Sequence, residues 1–128
     1  MKTDFATSWK ASTQRRKQRK YVHNAPLHTR RKMLSAPLAK PLKTKYKISN
    51  IPVRSGDKVK VVRGQFKGQR GKVDIVKLAQ LKICIEGLQQ VKKDGSKAYF
   101  PIHPSNVLVE ELNLDDKKRR MKLEGVKQ

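Results

Sequence analysis

Apolar and polar positions alternate most clearly between Ser55 and Val76. Val59 and Val61 fall on one face with Lys58 and Lys60 on the other, and Val73 and Ile75 repeat the alternation opposite Lys72 and Asp74. This is the two-residue period of half-buried strands. The segment between the two runs is rich in glycine and cations, so the pattern predicts a β-hairpin carrying a cationic loop. Leu81, Ile83 and Ile85 share a face in a third strand, and a polar turn follows over Lys92-Lys93-Asp94-Gly95-Ser96. Ala98-Tyr99-Phe100 forms a short fourth strand, Pro101 to Asn106 a tight irregular turn, and Val107-Leu108-Val109-Glu110 a last strand. Five short strands in about 60 residues predict a small barrel, because closure removes exposed strand edges.

The flanks follow a different pattern. Residues 1–14 are polar and read as a flexible start, with Phe5 and Trp9 available either to stack on bases and fill a partner's groove or simply to pack loosely. Arg15-Arg16-Lys17-Gln18-Arg19-Lys20 contains no Gly or Pro and follows Ser12 and Thr13, either of which could cap a helix. Asn24-Ala25-Pro26-Leu27, ending in Arg30-Arg31-Lys32, predicts a second short helix with a capping Asn, an early Pro and a basic finish. Ser35-Ala36-Pro37-Leu38 repeats that start and predicts a helix running to about Tyr46, with Pro41 as a kink. Leu27, Met33, Leu34, Leu38, Leu42 and Tyr46 are too few for an independent bundle, so they are expected to pin these helices onto the β-domain or to enter an RNA crevice. Asn50 to Arg54 is an extended lead-in, since Pro52 keeps Ile51 out of the helical region. Leu114 to Leu123 places acids first and bases last, which predicts a C-terminal helix, with Val126-Lys127-Gln128 fraying beyond it. The expected organisation is mainly β: a basic N-terminal extension with short helices over 1–50, a small barrel over 51–112, and a helix and tail over 113–128.

Charge changes the picture from a fold to a partner. The 128 residues carry 32 Lys and Arg against 10 Asp and Glu, a formal net charge of +22. Residues 1–50 hold 14 bases and 1 acid, residues 51–109 hold 12 and 4, and residues 110–128 hold 6 and 5. Such an excess repels itself without counterions, so the partner is expected to be a polyanion, and the extension is expected to become ordered on it. Cys84 is the only cysteine, which rules out a disulfide within the chain and points to a reducing compartment. Met1 to Lys20 lacks the apolar core of a signal peptide, and no stretch approaches the roughly 20 apolar residues of a membrane span. A soluble intracellular protein is expected.

No residues assemble into a catalytic set. His23, His28 and His103 lack partners at metal-ligand spacing and read as polar contacts or turn residues, although His28 and His103 could touch a phosphate or a base edge. Glu110-Glu111 points to opposite strand faces, and Asp115-Asp116 reads as a helix start. Gly64, Gly68 and Gly71 have neither Walker nor dinucleotide spacing. No enzyme, metal or cofactor is expected. The loop instead offers Arg63, Lys67 and Arg70 among glycines that let the backbone approach a phosphate, with Phe66 free either to stack on a base or to fold back on the barrel. The candidate RNA contacts are Lys60, Arg63, Gly64, Phe66, Lys67, Gly68, Arg70 and Lys72 on the hairpin. In the extension they are Arg15, Arg16, Lys17, Arg19, Lys20, His28, Arg30, Arg31 and Lys32.

Gly56-Asp57-Lys58-Val59-Lys60-Val61, with Gly64, Lys67-Gly68 and Gly71-Lys72-Val73, resembles a KOW motif. Together with Arg16 to Lys20, Asn24 to His28, Ser35 to Leu38, Pro52-Val53-Arg54 and Pro101 to Val107, it resembles the large-subunit ribosomal protein family numbered twenty-four in the universal scheme and twenty-six in eukaryotes, in its archaeal and eukaryotic branch. The resemblance runs from about Thr13 to Leu123. It implies an SH3-like barrel with a KOW motif in a monomer within the ribosome. It also implies binding to the 5′ region of large-subunit rRNA near the polypeptide exit tunnel, support of subunit assembly, and contacts with neighbouring ribosomal proteins and factors docking at the exit. The alternative is a KOW-type transcription elongation module acting through protein contacts, which would need a companion domain. A small nuclease is the third class, and it finds no carboxylate cluster or His pair to support it.

Overall fold

The computed structural model describes residues 3–125. The expected fraying of Val126-Lys127-Gln128 lies outside the described residues. The main sheet has four antiparallel strands in the order β5-β4-β3-β8, formed by β3 (Lys58–Val61), β4 (Arg70–Lys77), β5 (Lys82–Ile85) and β8 (Val107–Glu111). A hairpin of β6 (Gln89–Val91) and β7 (Lys97–Tyr99) stands beside it, and β1 (Ser35–Pro37) pairs with β2 (Asn50–Pro52). Among the described residues there are four α-helices, α1 (Arg15–His23), α2 (Leu27–Met33), α3 (Lys40–Tyr46) and α4 (Lys117–Gly125), and two 3₁₀ turns, Thr7–Ala11 and Pro104–Asn106. The architecture is mainly β, in small sheets. The ladder does not close, since β5 and β8 end it, although single bridges tie Ile83 to Ile102 and Leu38 to Val109 at its two margins.

The β3–β4 hairpin forms as its alternation requires, with Val59, Val61 and Val73 buried. Beyond Val73 the expected facing fails. The register against β5 shifts between Val73 and Ile75, so Asp74 is an extra residue in the ladder and Ile75 turns outward, 43% exposed. Val76 takes the core position in its place. Gly71 sits opposite Val59, where a Cβ would lie 2.5 Å from Ile85 Cγ2 and 2.8 Å from the Glu86 carbonyl oxygen. Only a missing side chain lets β4 pass there.

The extension departs further from expectation. Ser35-Ala36-Pro37 is a strand: the Val53 N–H donates to the Leu34 carbonyl, and the Leu38 N–H to that of Ser49. Pro37 fits because a two-stranded ribbon leaves an edge where its missing N–H costs nothing. Pro41 lies in the first turn of α3 rather than kinking it, and Lys47 in the left-handed conformation ends that helix. Asn24 closes α1 instead of capping α2, and its amide holds the Asp4 carbonyl. From Asp4 to Ser12 the chain is tied down rather than free. The Gln18 amide donates to the Trp9, Lys10 and Ser12 carbonyls, and Phe5 stacks on Tyr21 with ring centroids 5.3 Å apart. β6, whose residues are all exposed, carries no apolar alternation that could have announced it.

One core runs through all of this. Leu34, Leu38 and Tyr46 from the extension pack with Val59, Ile83, Val107 and Val109 of the sheet and with Leu123 of α4. At its margin lies the wholly buried Asp57. Its carboxylate accepts the backbone N–H groups of Arg54 at 2.9 Å and Asn113 at 2.8 Å, and both arms of the Arg119 guanidinium at 2.7 and 2.8 Å. Arg119 also donates to the Asn113 and Pro52 carbonyls. No buried side-chain nitrogen or oxygen among the described residues is left without a hydrogen-bond partner, the condition under which a buried ion pair is tolerated. Arg119→Met is expected to cost about 3–5 kcal/mol in urea unfolding, because it leaves Asp57 charged and buried. Breaking the exposed Lys58–Glu111 pair (2.7 Å) with Lys58→Met should cost at most about 1 kcal/mol.

Candidate nucleic-acid interface

The loop between β3 and β4 is held by its own backbone. The Val61 N–H donates to the Gln69 carbonyl and the Gly68 N–H returns to that of Val61, both at 2.8 Å. Gly64 and Gly68 take φ of +98° and +87°, with open space where a Cβ would stand, so backbone conformation and not crowding selects glycine there. Phe66 packs edge-to-face on Phe100, with centroids 5.1 Å apart, and half-buries itself against the core. Of the two uses open to this ring, the structure shows the packing one. It pins the loop so that Arg63 and Lys67 stand outward and exposed.

The strands below present a run of like charges. In register, Lys58 faces Lys72 and Lys60 faces Arg70, each a cation directly across from a cation. Glu111 pairs with Lys58, and Glu110 with Arg70 at 3.2 Å. Lys60 and Lys72 have no acidic partner among the described residues. Cross-strand like charges destabilise a sheet until an anion intervenes.

The extension's cations divide into two groups. Arg15, Arg16 and Arg19 are exposed on α1, and Lys17 and Lys20 are half-buried. His28, Arg31 and Lys32 are exposed on α2. Arg30 instead turns inward. Its guanidinium donates to the carbonyls of Ala25 at 2.9 Å, Ala79 at 3.3 Å and His23, joining the ends of α1 and α2 to the turn after β4. Sequence counts Arg30 with its neighbours because the carbonyls it serves are scattered along the chain.

His28, Arg31 and Lys32 line a cleft of about 530 Å³ whose other walls are Ile48, β2 with Arg54, and α4. Sequence reading did not single out its α4 side. The signal available was helical spacing: Arg119 and Leu123 turn inward while Lys118 and Lys122, also four apart, line the cleft. Arg54 is bonded to Asp116, which also receives the Lys118 N–H at 3.0 Å as the cap of α4, and both hold the Asp116 carboxyl below its ordinary pKa. Elsewhere the Asp74 carboxylate accepts the Tyr99 hydroxyl at 2.5 Å, which raises the pKa of that phenol. No group of three or more His, Cys, Asp or Glu that could hold a metal ion occurs among the described residues, and none of their helices is long and apolar enough to cross a membrane.

Residues 12–125 match the profile of a family described as ribosomal proteins, L26 in eukaryotes and L24p in archaea. Over 113 residues the chain is 48% identical to the large ribosomal subunit protein uL24 of Korarchaeum cryptofilum (strain OPF8), covering 87% of this chain and 86% of that one.

His103 caps the 3₁₀ turn Pro104–Asn106 by accepting the Ser105 N–H at Nδ1, 3.2 Å away. A backbone N–H can only donate, so the ring must be unprotonated at Nδ1. Burial, then the Lys82 charge, lower the His103 pKa below the ordinary 6.5. A folded-state pKa below the unfolded one means the unfolded chain takes the proton first. The stabilisation is therefore complete above the ordinary histidine pKa and is lost as pH falls below it. An NMR titration should place His103 below a free histidine, and His103→Gln should flatten the loss of thermal stability between neutral and mildly acidic pH.

Proposed function

The chain belongs to the family of eukaryotic L26 and archaeal L24p ribosomal proteins, structural constituents of the large ribosomal subunit, and from that premise we propose that it binds large-subunit rRNA and supports subunit assembly. The observation that carries this reading is the facing of cation on cation across β3 and β4, continued by the outward Arg63 and Lys67 of the loop. Lys58 and Arg70 already have Glu111 and Glu110, and a phosphate backbone supplies the anions that Lys60 and Lys72 lack, with recognition by RNA shape.

In this proposal the hairpin is the KOW motif of an SH3-like barrel, with the bridges at Leu38 and Ile102 standing where closure would occur. Residues 1–50 serve as a basic arm, 51–112 as the anchor, and 113–128 as a C-terminal helix and tail. The RNA contacts are the exposed cations of α1, α2 and the loop, with Lys60 and Lys72 on the strands. The rRNA region is the 5′ part of the large-subunit molecule, near the polypeptide exit tunnel of the cytoplasmic ribosome. Neighbouring ribosomal proteins and factors at the exit are the remaining partners.

Hydroxyl-radical footprinting on large-subunit rRNA should show protection in the 5′ region. Binding should weaken steeply with salt, and Arg63→Gln or Lys67→Gln should each lower the slope of log K against log[salt] by about one unit. Absence of binding at low salt would overturn the proposal. An unchanged slope in both variants would reduce the loop to a turn.

A further inference from the structure

The cleft between α2, β2 and α4 combines two surfaces that rarely meet. Its floor is apolar, formed by the half-buried Ile48 above the buried Ile51 and Leu123. Its rim carries Arg31, Lys32, Lys118 and Lys122, all exposed, and none has an acidic partner among the described residues. The one carboxylate at the rim, Asp116, is already bonded to Arg54 and to the start of α4. The volume, about 530 Å³, falls within the roughly 300–1,000 Å³ of small-ligand sites. Asn50 lines the cleft too, and its side-chain amide makes no hydrogen bond among the described residues. That amide offers one acceptor and two donors, the set that reads the polar edge of a base.

We propose that this cleft seats a single unstacked nucleotide of an RNA loop. Its base lies against the half-buried Ile48 with its edge at Asn50, and its flanking phosphates lie on the cationic rim. The inference rests on the rRNA-binding proposal and adds a base-specific site to a surface otherwise built to read phosphates. A duplex could satisfy the rim but would leave the floor empty. An extruded base covers it, and single-stranded loops are where bases are free to leave the stack. The extra cations give the nucleotide two phosphates to share, one on the α2 side with Arg31 and Lys32 and one on the α4 side with Lys118 and Lys122.

The experiment uses the full chain and a large-subunit rRNA transcript carrying 4-thiouridine, with photo-crosslinks mapped by mass spectrometry alongside binding isotherms. Crosslinks are expected on peptides bearing Asn50 and Lys122. Asn50→Ala should weaken binding about fivefold or more with the salt slope unchanged, because it removes an edge contact and no charge. Lys122→Gln should lower that slope by about one unit. Circular dichroism melts of both variants, whose altered side chains are exposed, check that folding is retained. If the wild-type chain binds rRNA but crosslinks fall only between Arg63 and Arg70, and Asn50→Ala binds normally, the nucleotide site is overturned while the rRNA reading stands. If the wild-type chain binds no rRNA, both are overturned.

Discussion

The carboxylate of Asp57 is the point on which the rest of the structure depends. It is wholly buried, and its four hydrogen bonds join three separate parts of the chain: the lead-in at Arg54, the exit from β8 at Asn113 and the helix α4 at Arg119. Desolvating a lone carboxylate costs several kcal/mol, so this position is tolerable only when all the partners are in place. The requirement orders the neighbourhood. α4 must dock with Arg119 inward, which carries Leu123 into the core and turns Lys118 and Lys122 toward the cleft.

A second constraint opposes the first. The chain concentrates positive charge on a small body, and four of its cation–carboxylate pairs fall at places where elements meet. Arg119 and Arg54 hold α4, while Lys58 and Arg70 tie β3 and β4 to β8. These four acids join elements, and the outward cations of α1, α2 and the loop form no such pair among the described residues. Arg30 shows that neutral backbone can do similar work, since three carbonyls receive one guanidinium without consuming an acid.

The hairpin was legible because two-residue alternation is a local property, and Val59, Val61 and Val73 needed no distant information to be placed in the core. The cationic character of the interface was legible for the same reason, since charge is additive along a sequence. What escaped reading was non-local. Ser35 and Pro37 carry helix-start signals, and only pairing with Asn50–Pro52 makes them a strand. The bulge at Asp74 reversed the facing of Ile75 and Val76 without changing the pattern of residue types. Arg30 read as one of the RNA-contacting cations, and the buried pairing of Asp57 with Arg119 and the bond from Arg54 to Asp116 went unread, because nothing in a sequence shows which cation will meet which oxygen.

The separation between Asp57 and Arg119, 62 positions, bears on when the molecule becomes itself during synthesis. A chain emerging from its N terminus presents Asp57 long before its counter-ion has been made. Throughout that interval the carboxylate keeps its water, and the segments it will join have no shared anchor. The hairpin and the short helices can form as local structure, but the core that joins them to Leu123 waits for α4. In vectorial growth the ion pair that fastens α4 therefore closes only after Arg119 has been made.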